Sequence, residues 1–287
     1  MAETMTVWQQ ATPGLIEEKL KLVDNIRIPK EALKKGEILI RVMSAGLNPA
    51  DYKVMEMGYV SRATTKFPKV AGMDLSGTVV AVAAGSTDII VGDNILGRVE
   101  PSKSYGSLSQ YVVLPRDGYA VQPKSVDLDH VAGVPTAGIT AYRSIKPYVK
   151  AGDRIFINSG SGGTDTFGIQ IAKAIGCHLT TSCSSTKVDL VRKLGADAVT
   201  DYRMDDIVTK LKPEGQVYDL VVDSVENSPK AFLPPRLIFS KPGVTILRLE
   251  ALHRYRQLKK ICQGSADADI TWWYPAQVRA VLHKECA

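Results

Sequence analysis

The alternation of apolar and polar positions changes character partway along the chain. Up to about residue 125 the pattern is that of short strands. Ile38 to Ser44 alternates with the two-residue period of a strand and runs into Gly46. Leu75 to Ala83 is rich in β-branched residues and bounded by Gly72 and Gly85, and Ile95–Val99 and Ser109–Leu114 are shorter candidates. Gly, Pro, Asp and Ser separate them, the residues that turn a chain. Short strands with such frequent turn signals predict a small barrel or sandwich.

From residue 127 the period changes. Asp129 to Ile145 is apolar at near-helical spacing. A strict alternation follows: strand Arg154–Ser159, helix Thr166–Ile175, strand Leu179–Cys183, helix Val188–Leu194, strand Ala198–Tyr202, short helix Ile207–Leu211, then strands Tyr218–Val225 and Val244–Leu249. Ile270 to Tyr274 reads as an edge strand and Gln277–His283 as a last helix. Apolar strands alternating with helices predict a parallel sheet covered on both faces. The expected division is therefore a β-rich domain over 1–126 and an α/β domain over 127–287.

Composition narrows the class. A length of 287 residues suits about two domains. With 45% hydrophobic and 23% charged residues, global disorder is excluded. No apolar run approaches the roughly 18 residues of a membrane-spanning helix, and the N-terminus lacks the basic-then-apolar pattern of a secretory signal. The four cysteines form no Cys-x-x-Cys pair, which fits a reducing compartment; a cytoplasmic location is expected. The net charge of +6 includes a basic stretch from His253 to Lys260. That stretch is either a solvated helix face or an anion patch. No zinc-finger spacing or RNA-binding aromatic motif supports a nucleic-acid partner.

The chemistry concentrates at the first strand-to-helix turn of the second half, Ser159-Gly160-Ser161-Gly162-Gly163-Thr164-Asp165. Glycines between a strand and a helix let backbone amides approach a pyrophosphate, so this loop is the candidate dinucleotide site. At the end of the next strand, NAD-binding folds place a carboxylate for the ribose 2′-hydroxyl. This chain has Ser184, Ser185, Thr186 and Lys187 there. Hydroxyls and an ammonium suit a 2′-phosphate, so NADP(H) is expected over NAD(H). Alternatively Ser184 is only a helix cap and Lys187 only a surface charge.

Several stretches together carry a family resemblance: Ala45-Gly46-Leu47-Asn48-Pro49-Ala50-Asp51-Tyr52-Lys53, Gly72-Met73-Asp74-Leu75-Ser76-Gly77, Gly106-Ser107-Leu108-Ser109-Gln110-Tyr111, Val134-Pro135-Thr136-Ala137-Gly138, the glycine loop, Leu194-Gly195-Ala196-Asp197 and Asp201-Tyr202. The chain resembles the zinc-independent medium-chain dehydrogenase/reductases, in particular the quinone-oxidoreductase-like proteins and the fungal stand-alone enoyl reductases. The resemblance implies a GroES-like β-barrel domain followed by a Rossmann doubly wound parallel sheet. It implies NADPH-dependent reduction of an alkene conjugated to a carbonyl, in an apolar small molecule, within fungal secondary metabolism. By matching position, Asn48 and Lys53 would line the nicotinamide and substrate side, and Tyr52 or Lys53 would supply charge or a proton to the enolate. Tyr52 is read in the first place as a packed aromatic. Thr136 would lie by the nicotinamide, Gly160, Ser161, Gly162, Gly163, Thr164 and Asp165 by the pyrophosphate, and Ser184, Lys187 and Tyr202 at the adenosine end. Zinc-dependent relatives carry a cysteine around Ser44-Ala45-Gly46 and Gly-His-Glu where this chain reads Gly72-Met73-Asp74. No metal is expected.

Three departures from the family pattern open a second class of function. Asp165 stands where the family has the third loop glycine, and Glu226 and Glu250 replace glycines on the nicotinamide side. An aspartate capping the helix would occupy amides that a phosphate needs. Two unit charges about 4 Å apart repel by on the order of 4 kcal/mol at an effective dielectric near 20. The chain also ends earlier than family members, so part of the substrate wall is expected to be missing or supplied by a second copy or a partner synthase. The alternative is thus a cofactor-free catalyst, a cyclase or isomerase, or an inactive binding protein on a reductase scaffold.

Overall fold

The computed structural model describes residues 3–30, 33–85, 88–225 and 240–248. It divides into two compact units, and the break falls after Thr136.

The first unit contains β1 (Thr4–Gln10), α1 (Ile16–Lys19), β2 (Leu20–Arg27), β3 (Ile38–Gly46), α2 (Pro49–Glu56), α3 (Tyr59–Thr64), β4 (Lys69–Val70), β5 (Asp74–Val82), β6 (Asn94–Arg98), β7 (Tyr111–Leu114), β8 (Tyr119–Val121) and α4 (Leu128–Val131). The strands form two antiparallel sheets, β2-β1-β4 and β7-β3-β5-β6-β8. Ile38, Ile40, Leu75, Val79, Ile95, Val112 and Leu114 fill the core of the larger sheet. Gly46 ends β3 because any side chain there would strike the backbone carbonyl of Ala132. All the strands expected before residue 125 are present, with ends shifted by a residue or two. The β1–β2 hairpin and the three helices α1 to α3 were not foreseen.

The break lies inside α5 (Val134–Ile145). The second unit then runs through β9 (Arg154–Asn158), α6 (Gly163–Ile175), β10 (His178–Cys183), α7 (Val188–Lys193), β11 (Ala198–Asp201), α8 (Ile207–Leu211), β12 (Tyr218–Asp223) and β13 (Ser240–Arg248). The five strands pair in parallel in the order β11-β10-β9-β12-β13. Both faces are buried. Ile155 and Ile157 pack on one side with Leu179 and Leu220, and Phe156 packs on the other with Tyr218, Val221 and Leu211. That is why β9 and β12 carry apolar runs, Ile155-Phe156-Ile157 and Leu220-Val221-Val222. Strand order reverses between β9 and β12, and such a switch point opens a crevice at the carboxyl ends of the strands.

Helix α6 starts at Gly163, three residues before the expected Thr166. Its N-cap is Gly162, whose carbonyl accepts from the Thr166 N–H. Acidic residues suit this first turn, where the helix dipole is positive. The expected edge strand at Ile270–Tyr274 and the last helix lie outside the described residues, as do Glu226 and Glu250.

Candidate active site

In the first unit, β3 delivers Asn48 to the N-cap of α2, with Pro49 at the first helical position. The Asn48 N–H donates to Asp51 Oδ2 at 2.5 Å, fixing the start of the helix. Asn48 is fully buried, and its side chain also hydrogen-bonds Asp74. Lys53 lies one turn further on, half-buried. Tyr52 takes the place of a packed aromatic, among Leu47, Met55, Ala71 and Leu108.

Asp74, at the start of β5, gathers the rest. It accepts the Thr136 N–H at 2.8 Å and the Thr136 hydroxyl at 2.7 Å. The same hydroxyl accepts from Arg98 Nε at 3.0 Å. The one proton of Thr136 Oγ1 therefore goes to Asp74, and only a lone pair remains for a ligand. Burial lifts the Asp74 carboxyl to about 6 despite these bonds. Burial lifts Asp51 further, to about 8, and its Oδ1 has no partner among the described residues. Lys69, equally enclosed, is lowered to about 8 by burial and donates to the Lys103 carbonyl. Asn48 and Thr136 were picked out by sequence, and both meet on Asp74. Asp51, Asp74, Arg98 and Lys69 were not singled out, although Asp51 and Asp74 stand inside the motifs.

The family's zinc-dependent members raise the question of metal. Where they have histidine, this chain has Met73, and an Arg98 guanidinium nitrogen lies 4.0 Å from its sulfur. Asp74 already serves Thr136 and Asn48. Ser44 donates to Asp129 at 2.9 Å. A thioether beside a fixed cation is a poor zinc ligand, so these residues do not fit the metal. No three His, Cys, Asp or Glu side chains are grouped to hold one among the described residues.

In the second unit, β9 feeds the glycine loop through Ser159, which adopts a positive φ of 69°. The Gly160 N–H donates to the Ser182 carbonyl, and a side chain at 160 would collide with the Thr181 hydroxyl. Gly162 has an ordinary φ of −71°, so it is glycine for space: a side chain there would meet Asp165 Oδ2. Ser161 is half-buried, and Gly163 and Thr164 form the buried first turn of α6.

Asp165 does not take the position expected of it. It is the third helical residue, not the cap, and it is 3% exposed. Ser224, from the end of β12, donates to its Oδ1 at 2.5 Å. Burial raises the carboxyl to about 7, and the neighbouring Asp223 adds to the rise. The charge considered from the sequence thus belongs to a buried carboxyl whose surroundings favour its neutral form. The same floor is laced by a buried hydrogen-bond chain. Ser182 donates to Asn158 at 2.5 Å, and Asn158 donates to Asp223 at 3.0 Å.

At the adjoining ends of β10 and β11, the Tyr202 N–H donates to the Cys183 carbonyl at 3.1 Å. That bond sets Tyr202 beside the end of β10, which runs on into Ser184 and, three residues later, Lys187. Ser184 makes no side-chain cap bond; its hydroxyl lies 3.3 Å from that of Thr186. Lys187 is exposed, and Tyr202 is 50% exposed.

Residues 34–124 match the alcohol dehydrogenase GroES-like domain, and residues 163–233 match the zinc-binding dehydrogenase domain. Among curated relatives, the trans-enoyl reductase pgmF of Aspergillus terreus is 41% identical over 87% of this chain and 72% of its own length. The NADPH-dependent alkenal/one oxidoreductase of Arabidopsis thaliana is 32% identical over 79% of this chain and 59% of its own. Among solved structures, the quinone oxidoreductase from Coxiella burnetii superposes with a TM-score of 0.74 at 26% identity, covering 91% of this chain and 80% of that one. Both domain types and the continuous likeness agree: the chain belongs to the medium-chain dehydrogenase/reductase family, among its quinone-oxidoreductase-like and enoyl-reductase-like oxidoreductases.

Proposed function

We propose that the protein is an NADPH-dependent reductase of an α,β-unsaturated carbonyl: an enone, a quinone or a polyketide-type enoyl group, in fungal secondary metabolism. The feature that carries the cofactor assignment is the end of β10, where Ser184 and Lys187 offer a hydroxyl and an ammonium to a 2′-phosphate at the place where NAD-binding folds carry a carboxylate; Asp201, on the neighbouring strand, is engaged by the Ser185 hydroxyl. The glycine loop, with Gly160 pressed against β10, offers the amides of α6 to the pyrophosphate. When bound, the reduced nicotinamide supplies the hydride. The chain's own part is to orient the alkene and to stabilise the enolate, for which Lys53 offers a positive charge or a proton. Asn48 is the substrate-side residue fixed most firmly, through Asp74. Substrate class is supported by the relatives named for enoyl and alkenal/one reduction.

The test is titration of the purified protein with NADPH and NADH, followed by turnover with a panel of enones, quinones and enoyl thioesters. Preferential binding of NADPH and consumption of its reduced nicotinamide by one of these classes is the expected result. The second reading is the cofactor-free catalyst or inactive binding protein. The observation favouring it is the Asp165 carboxyl at the foot of the loop. Failure of the protein to bind NADPH would select that reading.

A further inference from the structure

We propose that this protein takes up a proton at Asp165 when a dinucleotide binds to its glycine loop, so that cofactor affinity is set by pH. The inference rests on the assignment of the loop as the dinucleotide site.

The geometry leaves the carboxyl little else to do. It stands in the first turn of α6, directly under the loop, and is closed off from water. Among the described residues, the groups facing it are Asp223 at the end of β12, Ser224 just after it and its own backbone N–H. Among the described residues, Ser224, that N–H and the positive end of α6 favour the charge, and Asp223 opposes it. The bare Cα of Gly162 leaves room for Oδ2, so the carboxyl is built into the floor of the loop. A pyrophosphate at the same helix N-terminus brings further negative charge within one turn. Ionised Asp165 and a bound pyrophosphate therefore disfavour each other, and protonation relieves both. In the free protein the carboxyl titrates at about 7. Binding raises that value, so the sign is fixed. Below the free value the group is already neutral and affinity is flat. Above it, each binding event draws in a proton and affinity falls as pH rises, by up to roughly tenfold per unit.

The experiment is calorimetric titration with NADPH on both sides of neutrality, in buffers of contrasting ionisation enthalpy, comparing wild type with Asp165→Asn and Ser224→Ala. The 2′-phosphate of the ligand titrates equally in every protein, so the difference between proteins isolates Asp165. Wild type is expected to lose affinity on the alkaline side with an uptake approaching one proton. Asp165→Asn, which keeps an acceptor for Ser224, should bind on the alkaline side as wild type does in acid, with that extra uptake gone. Ser224→Ala removes the bond that holds the charge in place, so its profile should move to higher pH. This shift is one that a merely structural loss would not produce. NADPH binding with the same pH profile and proton count in wild type and both variants would overturn the proposal and leave the reductase assignment standing. Absence of NADPH binding by all three proteins at every pH would overturn both.

Discussion

Asp74 and Thr136 are 62 residues apart, yet the carboxylate of one receives both the backbone N–H and the hydroxyl of the other. The bond pair joins the start of β5 to the first turn of α5. Arg98 completes it by donating to the same hydroxyl. A fully buried carboxylate is tolerable only with such partners.

Thr136→Val keeps the shape and removes the hydroxyl. It leaves Arg98 without this acceptor and Asp74 with two donors in place of three. The expected loss is about 1–3 kcal/mol in urea unfolding. Thr136→Ser, which restores the oxygen, should recover most of it. No loss for Thr136→Val would mean that the hydroxyl bonds to Asp74 and Arg98 add nothing net to stability.

Stability should fall as pH rises from about 4 to about 8. Asp51 and Asp74 titrate in the fold at about 8 and about 6, both above the ordinary carboxylate value of 3.8. The folded chain therefore holds protons that the unfolded chain has released, and stability is lost as pH rises from about 4 to about 8. Lys69, lowered to about 8, has the opposite sign, but only above that value. Denaturant midpoints measured across this range should decline, and Asp51→Asn should flatten the upper part. A midpoint that climbs toward pH 8 would contradict the assignment.

Gly162 and Asp165 should be energetically coupled. Gly162→Ala places a methyl on Asp165 Oδ2 and should destabilise by about 1–3 kcal/mol. In an Asp165→Gly background the nearest remaining atom is the Ser159 carbonyl at 3.3 Å. The same substitution should then cost far less. A double-mutant cycle by thermal unfolding measures the difference, and additive losses would show that the methyl is accommodated elsewhere.

Cofactor choice should turn on one side chain. Lys187→Glu exchanges an ammonium for the carboxylate of NAD-binding folds. NADPH affinity should drop roughly tenfold or more, while NADH affinity holds or improves. An unchanged NADPH constant would return Lys187 to the role of a surface charge.

The second unit was the more legible in sequence because β9 and β12 are buried on both faces. Ile155, Leu179, Leu220 and Ile246 were each placed in a strand, and those strands are neighbours in one parallel sheet. Strand β2 left no such trace: only Leu20 of its eight residues is buried, so no period marks it. The start of α2 did carry a signal, Asn48-Pro49 followed by Asp51, but it was read as chemistry rather than as a helix cap. The setting of Asp165 was beyond local reading. Its partner Ser224 comes 59 residues later, and nothing near position 165 announces it. The same holds for Asp74, recognisable as part of a motif but not as the meeting point of Thr136, Asn48 and Arg98.

Arg98 lies against Met73, in the part of the domain where zinc-dependent relatives bring their histidine. A guanidinium is synthesised with the chain. It needs no delivery system, it is not displaced by a competing ion, and acid does not strip it. It provides positive potential to Asp51 and Asp74 from the moment the domain folds. What it lacks is a vacant coordination position, so any oxygen it holds is held through N–H donors, as the Thr136 hydroxyl is.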